Sequence, residues 1–231
     1  FLMFSTIKVI AFDADDTLWV NEPYFRTAEK AFCELLKEYV PEEECNELLY
    51  KFEMQNLPLY GYGIKPFVLS LIEAAITISK KQIPLKIVSE IIAIGKEMLQ
   101  MPVELIDGIE ATLAHLSKKY LLVMATKGDL LDQERKLIKS GLEKYFHHIE
   151  VMSDKQPKNY QKLITHLDIP PSQFLMVGNS LKSDVLPVLE IGSYAIHIPF
   201  HTTWEHEKVE DEVVHCNFKE LKLASKLIDL L

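Results

Sequence analysis

The stretch Ile7-Lys8-Val9-Ile10-Ala11-Phe12-Asp13-Ala14-Asp15-Asp16-Thr17-Leu18 begins as an almost unbroken apolar run and leaves it through three carboxylates. A short run rich in β-branched and aromatic residues reads as a strand buried on both faces, the habit of parallel sheets. In an open parallel sheet, ligands bind beyond the carboxyl ends of the strands, so Asp13 and Asp15 stand where chemistry is done. Two carboxylates two residues apart can divide labour: one attacks as a nucleophile and the other handles protons. The plainer alternative is a polar turn or a helix cap, for which aspartate is a common choice.

Working outward, four more apolar runs recur: Tyr120–Ala125, His148–Met152, Phe174–Val177 and Tyr194–Ile198. Helical periodicity separates them, as in Ile109–Leu116 and Leu130–Ile138, with Gly141 and Gly192 at the expected helix C-termini. Strand alternating with helix predicts an α/β fold built on a doubly wound parallel sheet. Between the first run and the second lie roughly a hundred residues, far more than a crossover needs. Most of that stretch is helical, over Pro23–Tyr39, Glu42–Glu53, Pro66–Ser79 and Leu85–Gln100, with a loop expected over Leu57–Gly63. It reads as a helical subdomain (residues 20–103) inserted into an α/β core formed by residues 1–19 and 104–231.

Composition narrows the function classes. The chain has 231 residues, 48% of them hydrophobic and 26% charged, the balance of a soluble globular protein. A net charge of −9 offers no electrostatic footprint for nucleic acid. No apolar run approaches a membrane span, and no secretory signal pattern precedes Asp13. Cys33, Cys45 and Cys216 form an odd set without CxxC spacing, which argues against a disulfide framework or a thiolate zinc site and for a cytoplasmic protein.

Two further strand ends carry polar groups. Thr126 follows Tyr120–Ala125 and precedes Lys127-Gly128-Asp129; a hydroxyl and adjacent amides there suit a phosphate oxygen, and Thr126 equally suits a helix N-cap. Gly178-Asn179-Ser180 closes Phe174–Val177, with Asp184 beyond it. Asn179 and Asp184 offer the oxygen ligands Mg²⁺ prefers, or else a capped helix start.

With these motifs in order, the sequence resembles the haloacid dehalogenase superfamily, in the branch with a helical cap after the first motif. The resemblance implies that Asp13 is the nucleophile and that Asp15 is the general acid and base. It also implies that Asp13, Asp15 (through its backbone carbonyl), Asn179 and Asp184 hold Mg²⁺, and that Thr126, Lys127 and Lys155 bind phosphate. Lys155 and Lys158 compete for the family's lysine. Lys155 is preferred because it follows the third strand closely and precedes the helix containing Tyr160. One departure stands out: the family's aspartate after the glycine is Asn179 here, which brings one less negative charge and shifts electrostatic load to Asp184.

The implied activity is hydrolysis of a small-molecule phosphate ester through an aspartyl-phosphate, with neither nucleic acid nor membrane as partner. Specificity is expected on the cap, for which Tyr24, Phe25, Tyr60, Tyr62 and Lys65 are candidates, each equally suited to packing. The rivals are a haloacid dehalogenase, against which Asp15 argues, and a weakly catalytic binding module, supported by Asn179 alone. A response-regulator receiver does not accommodate the helical insertion. The histidines of His197-Ile198-Pro199-Phe200-His201-Thr202-Thr203-Trp204-Glu205-His206 lack the H-E-x-x-H spacing of zinc sites and read as a loop.

Overall fold

The computed structural model describes residues 3–231. Six parallel strands form one sheet: β1 (Val9–Phe12), β2 (Leu121–Lys127), β3 (His148–Met152), β4 (Phe174–Gly178), β5 (Tyr194–His197) and β6 (Phe218–Glu220). Their order is β3-β2-β1-β4-β5-β6, so β1 lies between β2 and β4. The α/β class and the parallel sheet read from the sequence are therefore present.

The strand period of two sorts the side chains into two cores. Ile10 and Phe12 of β1 join Leu122, Met124, Leu175, Val177 and Ile196 in one. That layer is closed by Ile109, Leu113 and Leu116 of helix α5 (Ile109–Leu116). Val9 and Ala11 point the other way, with Val123, Ala125, Met176 and Ala195. Tyr160, Leu163 and Ile164 of helix α7 (Pro157–His166) cover that face. Every β1 residue is buried, which explains the near-continuous apolar run.

Two compact units divide the chain. The sheet unit comprises the segment up to Glu22, Val103–Lys127 and Gln133–Leu231; the other comprises Pro23–Pro102 and Gly128–Asp132. The second unit is helical: α1 (Glu22–Leu35), α2 (Glu42–Tyr60), α3 (Ile64–Ile78) and α4 (Leu85–Gln100). It has its own core, in which Phe32, Leu36, Leu49, Phe67, Leu71 and Ile91 are buried.

One sequence expectation fails here. The loop foreseen over Leu57–Gly63 is helix as far as Tyr60, because α2 runs through Pro58. Proline lacks a backbone donor, yet so close to a helix end the ladder loses little, and Gly61, at φ 75°, still donates to the Leu57 carbonyl at 3.0 Å. Strand β6 was also not foreseen.

The connections leaving the sheet unit are pinned within it. Val20 donates to the Glu104 carbonyl and Ile106 to the Leu18 carbonyl, each at 2.9 Å, so the two segments run side by side. Asp16, in the left-handed region at φ 62°, accepts from the Asn21 and Glu22 amides at 2.8 and 3.0 Å, where α1 begins. The third carboxylate of the opening stretch is thus a cap.

Candidate active site

The ladder carries Asp13 to its place. Phe12 pairs with Met124 on one side and Val177 on the other, and the Asp13 amide continues the β4 ladder by donating to the Val177 carbonyl at 2.9 Å. Its side chain emerges at the carboxyl edge between two longer strands. β2 runs on past that level, so Thr126, almost fully buried, occupies the neighbouring strand end. The Thr126 hydroxyl donates to the Lys127 carbonyl at 3.1 Å.

Lys155 reaches Asp13 from beyond β3. Its ammonium lies 2.5 Å from Asp13 Oδ1 and 2.6 Å from Asp184 Oδ1, with 1% of the side chain exposed. Lys158 is exposed on α7. Three buried charges in a row hold one another: burial works against the Lys155 ammonium, but Asp13 and Asp184 outweigh it and keep the proton above the ordinary lysine range. Burial pushes the Asp13 carboxyl up, and the Lys155 charge pulls against that rise.

Asp184 is locked in turn. Its Oδ2 accepts from the Ser180 amide at 3.0 Å, so both oxygens are engaged by donors, and it acts on Asp13 through Lys155. It sits in a π-helical turn, Leu181–Val185, whose Ser183 carbonyl accepts from the buried Tyr160 hydroxyl at 2.9 Å. Gly178 makes this approach feasible, because a Cβ there would stand 2.2 Å from Asp184 Oδ2. The Gly178→Ala variant is therefore expected to lose about 1–3 kcal/mol of stability, the usual range for overpacking. A urea midpoint equal to that of the unaltered chain would show that the carboxylate can move aside.

Asn179 faces Asp13. One terminal atom of its amide stands 3.1 Å from Asp13 Oδ2, 3.2 Å from the Asp15 carbonyl oxygen and 3.2 Å from Thr17 Oγ1. Nitrogen at that point donates to its neighbours and satisfies them; turning the amide about brings its oxygen beside Asp13 Oδ2 and the Asp15 carbonyl. An amide, a carboxylate and a backbone carbonyl are hard donors that fit Mg²⁺. Among the described residues no group of three His, Cys, Asp or Glu side chains gathers as a metal cluster, and this mixed set is not of that kind. His197 supports Asn179 from behind, with Nε2 2.9 Å from its backbone oxygen and Nδ1 2.9 Å from Glu220.

Asp15 turns its carboxylate elsewhere. Oδ1 accepts from Trp19 Nε1 at 2.8 Å and Lys136 Nζ at 2.6 Å, and Oδ2 accepts from Gln133 Nε2 at 2.9 Å. Burial opposes its charge, yet Lys136 and these hydrogen bonds hold it below the ordinary carboxylate value. Gln133 and Lys136 lie on helix α6 (Leu130–Ser140), and sequence reasoning missed both. Their one local signal is a spacing of three residues, which places them on one helix face.

Lys127, at the end of β2, lies 2.7 Å from Glu207 Oε1 and 3.0 Å from Ser183 Oγ. Glu207 was also missed. Burial works against its charge, but Lys127, Ser180 and Ser183 hold its carboxyl at about 2. In the helical unit, Phe25 packs edge-on against Phe67 and Tyr60 donates to Glu73 at 2.7 Å. Lys65 lies 2.9 Å from Asp129, while Tyr24 and Tyr62 are half-buried.

Comparison with known proteins gives the fold a family. A Pyrococcus furiosus glyceraldehyde 3-phosphate phosphatase is 26% identical over 196 residues, covering 80% of this chain and 78% of the relative. A solved haloacid dehalogenase-like family hydrolase from Xanthomonas campestris superposes with a TM-score of 0.87 at 38% identity, covering 97% of this chain and 90% of that one. The fold is shared at 20% identity with a 2-haloacid dehalogenase from Pseudomonas syringae, with a TM-score of 0.64 and 97% of each chain covered. A family model for haloacid dehalogenase-like hydrolases matches residues 7–192. With four-fifths of its length matched, the chain belongs to the haloacid dehalogenase-like hydrolases.

Proposed function

We propose that this hydrolase is a magnesium-dependent phosphatase that acts on a small phosphomonoester through an aspartyl-phosphate on Asp13. The observation that carries the reading is the buried Lys155 ammonium on one oxygen of Asp13, with the Asn179 amide and the Asp15 carbonyl gathered beside the other. The ammonium supplies positive charge on one side of the carboxylate, and Mg²⁺ held on the other would supply it there, which suits attack on an anionic ester. The P. furiosus relative is a phosphatase by name and supports a small phosphorylated substrate.

In the first step the Asp13 carboxylate attacks phosphorus in line, the phosphorus–oxygen bond to the leaving group breaks, and Asp15, once turned from Lys136 and protonated, gives that oxygen a proton. In the second step Asp15 takes a proton from water, whose oxygen attacks phosphorus and releases phosphate from Asp13. Lys155 and the Thr126 hydroxyl stabilise the equatorial oxygens. Asp13, Asn179 and the Asp15 carbonyl would hold Mg²⁺, which supplies charge that offsets repulsion between carboxylate and ester. Asp184 positions Lys155.

A second reading has one observation in its favour. The Asp15 carboxylate is tied to Trp19, Gln133 and Lys136, and a dehalogenase attacking carbon needs no acid at that position. One experiment separates the two: a panel of phosphorylated metabolites and short 2-haloacids, assayed with Mg²⁺ and with EDTA. Phosphate release that EDTA reduces at least about a hundredfold supports the phosphatase. Halide release that persists in EDTA, with no phosphate release, replaces it with the dehalogenase.

A further inference from the structure

Glu207 comes from the segment after β5, far in sequence from either strand end it touches. Its Oε1 meets Lys127 at the end of β2 at 2.7 Å. Its Oε2 accepts from Ser180 at 2.5 Å and from Ser183 at 2.6 Å, both just beyond β4. Since β2 and β4 flank β1, this single carboxylate spans the strand that bears Asp13. Each residue it grips adjoins a group of the site: Lys127 follows Thr126, Ser180 follows Asn179, and Ser183 precedes Asp184.

The network is complete, and its proton directions agree. Ser183 Oγ donates to Glu207 and accepts from Lys127 at 3.0 Å, while Ser180 Oγ donates to Glu207 and accepts from the Ser183 amide at 3.0 Å. The Glu207 and Lys127 side chains are 12% and 14% exposed, so the pair is well shielded from water. Buried ion pairs contribute little net stability compared with apolar packing, and their better-attested use is to fix one geometry. Here the geometry fixed is the gap between the ends of β2 and β4.

We propose that Glu207 is a positioning residue for the reaction, holding Thr126 and Asn179 at a set separation on either side of Asp13. It follows that Lys127 serves as the anchor of this strap. The proposal rests on the phosphatase reading for its kinetic arm and on the magnesium site of that reading for its binding arm.

The test compares Glu207→Gln and Ser183→Ala with the unaltered chain, using p-nitrophenyl phosphate turnover and Mg²⁺ affinity by titration calorimetry. A positioning role predicts that kcat falls at least about tenfold while KM stays within about threefold, because the loss lies in the transition state. It also predicts Mg²⁺ binding at least about fivefold weaker, and a Lys127→Met/Glu207→Gln double variant no worse than Glu207→Gln, as residues of one network behave. Folded variants with kcat and Mg²⁺ affinity both within about twofold of the unaltered chain overturn it, as does a rise in KM alone. Should Glu207→Gln not fold, Ser183→Ala decides by the same thresholds. Should the unaltered chain hydrolyse no ester, the phosphatase reading falls, and the change in Mg²⁺ affinity decides the role of Glu207 by itself.

Discussion

Replacing Asp13 by Asn is expected to reduce phosphate-ester turnover by at least about 10⁴-fold while leaving the fold in place. The carboxamide has nearly the shape of the carboxylate it replaces, so the space at the end of β1 stays filled. What disappears is the anionic oxygen that bonds to phosphorus. Lys155 keeps Asp184 as a counter-charge at 2.6 Å, so the ammonium is not left unpaired. The variant should therefore melt within a few degrees of the unaltered chain. The decisive measurement is covalent: brief reaction with a ³²P-labelled ester and acid quench should label the unaltered protein and leave Asp13→Asn unlabelled. Equal labelling of both would move the nucleophile elsewhere, and retained turnover would remove it from Asp13 altogether.

The sheet was legible in the sequence because central strands bury both faces, which calls for apolar residues at consecutive positions. Val9–Phe12 and Phe174–Gly178 are buried at every position and announced themselves. Phe218–Glu220 did not: it is three residues long, pairs only with β5, and leaves Lys219 and Glu220 exposed. Pro58 misled for a related reason, since its effect on a helix depends on how many hydrogen bonds remain to be lost beyond it, which the residue alone does not show.

The same division runs through the site. Asp13, Asp15, Thr126, Asn179 and Asp184 sit at or just past strand ends, where local pattern points to chemistry. Gln133, Lys136 and Glu207 act across 118, 121 and 80 residues of chain, onto Asp15 and Lys127. Lysine, glutamine and glutamate on a helix or in a loop are ordinary surface residues until the fold brings them to a buried partner. Spacing carries no trace of such contacts. Asn179 could be seen to differ from the family pattern, but not that its amide would stand 3.1 Å from Asp13 Oδ2.

Lys155→Met is expected to lose both activity and stability, and in this it should differ from Asp13→Asn. Methionine fills much of the space of the lysine stem but leaves Asp13 and Asp184 without the ammonium between them. Removing one partner from a buried charge cluster costs about 3–5 kcal/mol, because the remaining charges stay desolvated. Burial already pushes the Asp13 carboxyl up, Lys155 is its chief opponent, and Asp184 adds to the rise. Without Lys155 the folded-state value climbs further above the unfolded one. A carboxyl raised in this way favours the folded state at low pH and weakens it as pH rises through the folded value. The stability deficit of Lys155→Met should therefore be widest near pH 8 and narrow toward about pH 5, read as the difference in urea midpoints between variant and parent. Turnover should fall at least about 10³-fold, since the equatorial oxygens lose a charge aimed at them. Lys155→Arg should restore little of it, because a planar guanidinium does not fit a place shaped for an ammonium between two carboxylates. A Lys155→Met chain as stable as its parent at every pH would mean that the three charges are not coupled as their distances imply.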